Sequence, residues 1–290
     1  MHSGIRHLQI FDSRQSATFP AIVQYPTLTP PAGTQLGPYH FDATLAAPLA
    51  EGRFPVCLVS HGGGGSHLLY RTLSTHLAQN GFIVVCLEHL GDNRNDRSLA
   101  DTDQAAEHRP RHVSLALDAV LSDAIFRAGA DAARIGIIGH SMGGYTALAL
   151  VGGQPWSRSR QRLSVTPDAR IRAGVLLAPA TDWFLAPGAL AQVATPLLAM
   201  VGGRDAITPP ERVQRVLSQL PPGTPLEWEV IPNAGHFSFL SPFPAPLRRP
   251  DFPPALDPAG FDREQFHREL PRRLHDFLAP ALRRSHAVKT

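Results

Sequence analysis

At 290 residues the chain is too long for a minimal domain, and its 43% hydrophobic and 18% charged composition excludes general disorder and predicts one compact domain over residues 1–290. The net charge of +3 is spread along the sequence, and the basic stretches at 158–162 and 272–284 read as solvated surface, which argues against a nucleic-acid partner. No segment approaches the ~20 apolar residues that cross a bilayer, and residues 1–7 lack the apolar run of a secretory signal, so a cytoplasmic protein without a membrane span is expected.

In chain order, residues 8–11 and 19–25 read as two antiparallel edge strands, followed by a Pro/Gly-rich loop over 26–38. Residues 1–50 are therefore an N-terminal addition to a sheet and not a separate domain. From about residue 54, short aliphatic runs alternate with amphipathic stretches, the pattern of βα units. Strands are predicted at 56–60, 82–88, 134–139, 171–178, 196–202 and 226–231, with helices at 68–79, 110–127, 143–151, 209–220 and 263–278. This is an α/β architecture, a mostly parallel central sheet with helices on both faces. The irregular stretches at 91–109, 153–170 and 238–260 are expected to line a pocket mouth. Cys57 and Cys86 each lie inside an apolar strand and read as small core hydrophobes.

The predicted strand at 134–139 runs directly into Gly139-His140-Ser141-Met142-Gly143-Gly144, and a helix follows. Gly-x-Ser-x-Gly between a strand and a helix is the pattern of a nucleophile elbow. The serine sits on a tight turn whose flanking glycines remove Cβ atoms that would collide with neighbouring backbone. Its hydroxyl then projects above the sheet at a helix N-terminus, which favours developing negative charge.

Upstream, the strand at 56–60 opens into His61-Gly62-Gly63-Gly64-Gly65. Glycines here let peptide N–H groups approach an oxyanion without obstruction. Gly63 N–H and Met142 N–H are the predicted donors, with Gly64 as the second choice for the first. The run lacks the Gly-Lys-Ser/Thr of a P-loop and the Gly-x-Gly-x-x-Gly of a dinucleotide fold. His61 is expected to brace the loop.

A serine of this kind needs a base and an acid on later strand ends. The strand at 196–202 leads into Asp205, and the strand at 226–231 leads into His236. His236 fits the proton shuttle and Asp205 the carboxylate that orients it, with Asp182, one strand earlier, as the alternative acid. His108 and His112 have helical spacing but no third ligand beside them, so no metal is predicted.

With these residues in place the chain resembles the bacterial α/β-hydrolases grouped as predicted dienelactone hydrolases, which are similar to platelet-activating-factor acetylhydrolases. The resemblance runs from Ile22 onward. It rests on Ser60-His61-Gly62-Gly63-Gly64-Gly65, Glu88-His89-Leu90-Gly91-Asp92-Asn93, Arg109-Pro110-Arg111-His112-Val113, Gly139-His140-Ser141-Met142-Gly143-Gly144 and Ala234-Gly235-His236-Phe237-Ser238-Phe239-Leu240. It implies an α/β-hydrolase fold and hydrolysis of a small-molecule carboxylic ester without a cofactor. The sequence departs from true dienelactone hydrolases in having Ser141 where those carry cysteine. Amide, peptide or lactone hydrolysis with the same residues, and a non-catalytic binding protein on the same scaffold, are the alternatives.

The segment after His236 is too apolar for a solvated loop, and its prolines interrupt any regular period. It is expected to fold over the site as a flap across residues 238–260, with Phe237 and Phe239 in the pocket wall and Trp183 and Phe184 opposite. The competing expectation is that these aromatics plug a satellite core beneath the loop.

Overall fold

In the computed structural model, which describes residues 1–283, the chain opens with a hairpin of β1 (His2–Asp12) and β2 (Ala17–Thr27). The short strands β3 (Thr34–Leu36), β4 (Tyr39–Phe41) and β5 (Thr44–Leu45) follow. Then come β6 (Phe54–Ser60), α1 (Arg71–Gln79), β7 (Ile83–Leu87), α2 (Asp103–Ser122), β8 (Ala130–His140) and α3 (Met142–Leu150). The chain continues through β9 (Ile171–Leu177), β10 (Leu197–Gly202), α4 (Pro210–Leu217), β11 (Leu226–Ile231) and α5 (Arg263–Arg283). The end of the predicted basic stretch, residue 284, lies outside the described residues.

A nine-stranded sheet runs in the order β11-β10-β9-β8-β6-β7-β2-β1-β5, and β3 pairs with β4 beside it. The six strands from β11 to β7 are mutually parallel, and β2 is antiparallel to its neighbours on either side. The fold is α/β with a mostly parallel sheet. No helix among the described residues is long and apolar enough to cross a membrane.

Period-two alternation divides the core between the sheet's two faces. Val56 and Leu58 of β6, with Ile135 and Ile137 of β8, pack on the side of α2, α3 and α4. Cys57 and Val59 of β6, with Ile138 of β8, pack on the side of α1 and α5. Both cysteines are free and buried, and burial pushes both thiols up, which suits a packing role.

The hairpin strands are longer than the predicted edge segments, at 11 residues each, because β2 is not an edge: it pairs on one side with β1 and on the other with β7. Helix α2 begins at Asp103, seven residues before the predicted start, so the irregular stretch ahead of it is shorter than expected. Thr102 caps it, its hydroxyl accepting from Ala105 N–H at 3.1 Å. Pro110 lies inside this helix rather than at its start, and it cannot donate to the carbonyl of Ala106. The buried Tyr145 hydroxyl donates to that carbonyl instead, at 3.0 Å, and so replaces the missing helical bond.

Candidate active site

At the end of β8 the backbone turns through Ser141, which has φ 53° and ψ −117°, and enters α3 at Met142. A non-glycine residue at positive φ is strained and persists only where its surroundings over-determine it. Here Ser141 N–H donates to Leu177 C=O at 3.0 Å, and Ser141 C=O accepts from Gly144 N–H at 2.8 Å and from Ala180 N–H at 3.0 Å. A Cβ on Gly139 would overlap the Gly143 carbonyl, and one on Gly143 would overlap the Ser60 carbonyl. The two flanking positions therefore accept only glycine. Ser141 Oγ has no hydrogen-bond partner among the described residues and faces a cavity.

Asp205 lies three residues past β10, and His236 opens the first 3-10 turn after β11, His236–Phe239. Asp205 Oδ2 accepts from His236 Nδ1 at 2.8 Å and from the Thr208 hydroxyl at 2.7 Å. Its Oδ1 accepts from Ile207 N–H and Thr208 N–H, each at 2.8 Å. Burial pushes the Asp205 carboxyl up, but these donors, His236 first, outweigh it and hold the group below the usual carboxylate range. An ionised carboxylate can only accept, so His236 carries its proton on Nδ1 and leaves Nε2 as an acceptor. Asp182, the alternative acid, is half-exposed and pairs with Arg212 at 3.2 Å. The structure thus brings Asp205, and not Asp182, to the imidazole.

In the glycine run, Gly64 N–H donates to Asp92 Oδ1 at 3.1 Å and Gly62 N–H to the Tyr70 hydroxyl at 3.3 Å. Gly64, the second choice as an oxyanion donor, is therefore already engaged. The Gly62 carbonyl accepts from His61 Nδ1 at 2.7 Å and from Gly65 N–H at 3.0 Å. Because a peptide is planar and trans, fixing that carbonyl aims Gly63 N–H the opposite way. Neither Gly63 N–H nor Met142 N–H has an acceptor among the described residues. Gly63 lies against the Met142 side chain, as a Cβ built on it would stand 3.6 Å from Met142 Cγ.

Ser141, His236, Gly63 and Met142 all line one cavity of about 520 Å³. Its apolar walls include Trp156, Trp183, Phe237 and Leu240, and Arg94, Arg97, Arg158 and Arg212 stand around it. Two wall hydroxyls, Tyr39 Oη and Thr181 Oγ1, are buried without a hydrogen-bond partner among the described residues.

The expected pocket residues divide. Trp183 and Phe237 line the cavity, whereas Phe239 does not. Phe239 is fully buried beneath the turn, its ring 5.7 Å from Phe266 and 6.4 Å from His140. The 3-10 turn over His236–Phe239 explains the correction: it rotates alternate side chains inward, so Phe237 faces the cavity and Phe239 fills the α5-side core. Phe184 is likewise buried, against Tyr145 at 5.5 Å. The proline-rich segment still reaches the cavity through Phe252 and Pro254. It is part wall and part plug.

A chlorophyllase family model matches residues 38–160, which take in the glycine run and Ser141 but stop short of Asp205 and His236. Among curated proteins, cutinase est1 of Thermobifida alba is 26% identical over 198 residues, an alignment covering 67% of this chain and 57% of that protein. Among solved structures, a ferulic acid esterase from Streptomyces cinnamoneus superposes with a TM-score of 0.74 at 20% identity, over 99% of this chain and 94% of that one. A dienelactone hydrolase from Anabaena variabilis gives a TM-score of 0.59 at 17% identity, over 96% and 99% of the two chains. The chain has the α/β-hydrolase fold, and these similarities point towards that superfamily.

Sequence reasoning gave no role to two residues that hold the glycine run in place. Arg109, only 1% exposed, reaches Asp92 Oδ2 at 2.8 Å and Thr146 Oγ1 at 3.3 Å and also donates to the His61 carbonyl. Asp92 in turn accepts from Gly64 N–H, so one buried ion pair grips the run at two points. The sequence held a signal: Arg109 sits on the same helical stripe as Val113, Ala116, Leu117 and Val120, all buried, where a charge needs a partner. His61 braces the run through both ring nitrogens, Nε2 accepting from His89 N–H at 3.1 Å.

Proposed function

We propose that this α/β-hydrolase cleaves a carboxylic ester of a small or medium substrate through an acyl-enzyme, with Ser141 as nucleophile, His236 as base and Asp205 as the orienting acid. The observation that carries this reading is the Asp205–His236 hydrogen bond, which leaves Nε2 free in the cavity that Ser141 faces. As Ser141 Oγ adds to the ester carbonyl, its proton passes to His236 Nε2, and the resulting oxyanion is held by Gly63 N–H and Met142 N–H. His236 then protonates the leaving alkoxide as the C–O bond breaks. A water that gives its proton to the same nitrogen releases the acid and restores Ser141.

The names of the similar proteins, a cutinase and a ferulic acid esterase, favour an ester as the bond cleaved. Amide or lactone hydrolysis would use the same groups and is the second reading. A binding protein without catalysis is disfavoured, because such a protein has no need of a strained serine beside an oriented imidazole. The cavity joins apolar walls at Trp156, Trp183, Phe237 and Leu240 to Arg94, Arg97, Arg158 and Arg212, which suits a substrate with an apolar group and oxygens beyond the ester itself.

The walls make a testable distinction. Against esters from acetate to octanoate, Trp183→Ala is expected to move the optimum to longer acyl chains, since each further buried CH₂ contributes about 0.8 kcal/mol until a wall is met. Phe239→Ala is expected to lower stability by about 3–5 kcal/mol and leave the optimum in place. A shifted optimum in the Phe239 variant would return that ring to the pocket. Turnover of matched anilides at rates equal to the esters would favour the amide reading.

A further inference from the structure

Three loops meet at the site: the glycine run after β6, the elbow after β8 and the His236 turn after β11. A single side-chain bridge joins them. Gly62 N–H donates to Tyr70 Oη at 3.3 Å, Tyr70 Oη lies 3.2 Å from His140 Nδ1, and His140 Nε2 lies 2.9 Å from the His236 carbonyl. The direction of every bond follows from the far end. A carbonyl only accepts, so His140 Nε2 carries the proton, Nδ1 accepts from the Tyr70 hydroxyl, and the Tyr70 oxygen is left to accept from Gly62. Tyr70 is 1% exposed, His140 3% and His236 7%, so these bonds are shielded from bulk solvent. Burial, reinforced by the neighbouring His236, brings the His140 imidazole down to about 3, and the ring stays neutral in this one tautomer.

The bridge acts on both partners of Ser141. The peptide between His61 and Gly62 is gripped at its carbonyl by Arg109 and at its N–H by Tyr70. Rotation of that peptide would swing the next one, whose N–H is that of Gly63. At the other end, the backbone of His236 is tied to the residue that immediately precedes Ser141, and the two imidazoles lie 5.0 Å apart.

The geometry points to Tyr70 and His140 as positioning residues that set the oxyanion donor and the base jointly, so that disturbing either end misaligns both. This rests on the reading of Ser141, Asp205 and His236 given above. A bridge that only adds stability would lower the melting temperature without changing the reactivity of Ser141.

The two ends separate by substitution. In His140→Gln the side-chain amide NH₂ falls where Nε2 was and keeps the bond to the His236 carbonyl, but nothing replaces Nδ1. In His140→Asn the side-chain oxygen falls where Nδ1 was and keeps the Tyr70 bond, but nothing reaches His236. The readouts are kcat and KM on p-nitrophenyl acetate and the rate at which a fluorophosphonate probe phosphonylates Ser141, losing fluoride, at temperatures well below unfolding. Tyr70→Phe and His140→Asn are each expected to slow labelling and kcat on the order of tenfold, with KM within about twofold and His140→Gln retaining more activity than His140→Asn. The double variant Tyr70→Phe/His140→Asn should lose less than the product of the single losses. Labelling rates equal to wild type in both single variants, whatever their melting temperatures, would overturn the positioning role, as would strictly multiplicative losses. Absence of labelling in the wild type would instead overturn the hydrolase reading, and this role with it.

Discussion

Ser141→Ala is expected to lower kcat by on the order of 10⁴-fold or more while the melting temperature stays within a few degrees of wild type. The mutation removes one hydroxyl that has no hydrogen-bond partner among the described residues, so little native structure depends on it. The elbow itself is held by backbone bonds from Ser141 to Leu177, Gly144 and Ala180, which alanine keeps. Alanine at φ 53° is no worse placed than serine in steric terms. A variant that loses activity only in proportion to lost fold would mean that the serine is structural. Unchanged turnover in a pure preparation would remove it from the mechanism altogether.

The second large effect separates two aspartates. Asp205→Asn is expected to cost roughly 10²–10⁴-fold in kcat, because an amide at this position can donate to His236 Nδ1 and so favour the wrong tautomer. Asp182→Asn is expected to change kcat by less than about threefold, since its carboxylate pairs with Arg212 in half-exposed surroundings where an ion pair contributes little. The reverse pattern would move the acid to Asp182. Stability adds a check with a defined sign. Asp205 is held below its ordinary value, so its ionised form stabilises the fold above the unfolded carboxylate pKa of about 3.9, and that contribution is lost as pH falls through the lower native value. The melting-temperature gap between wild type and Asp205→Asn should therefore be widest near neutrality and narrow in the acid range. A gap that widens with acidity would contradict the carboxylate assignment.

The parallel half of this fold was legible because its signals are local and repeated. Runs such as the one ending at Gly139 are apolar on both faces of a strand, and the glycine-flanked Ser141 can occupy few other backbone settings. Asp205 and His236, which meet at 2.8 Å, were picked out by chain order and by their places just after two predicted strands. What sequence did not convey depended on contacts between distant segments. Pro110 reads as a helix start until Tyr145, on another helix, is known to donate to the Ala106 carbonyl. Phe237 and Phe239 look alike in sequence, and only the 3-10 turn decides that one faces the cavity and the other the core. Asp92 and Arg109 lie 17 residues apart along the chain and meet only when β7 and α2 pack against the glycine run. Gly64 could be set aside as a donor only once Asp92 was seen to occupy its N–H.

The central claim is that Ser141 carries the acyl group of the substrate. Acid quenching during turnover of a slowly deacylating p-nitrophenyl ester, followed by peptide mapping by mass spectrometry, tests it directly. The account predicts one acyl group per chain on the peptide that contains Ser141, and none in Ser141→Ala. An acyl group on another residue, or steady turnover with no covalent adduct under conditions where release of the acid is rate-limiting, would contradict it.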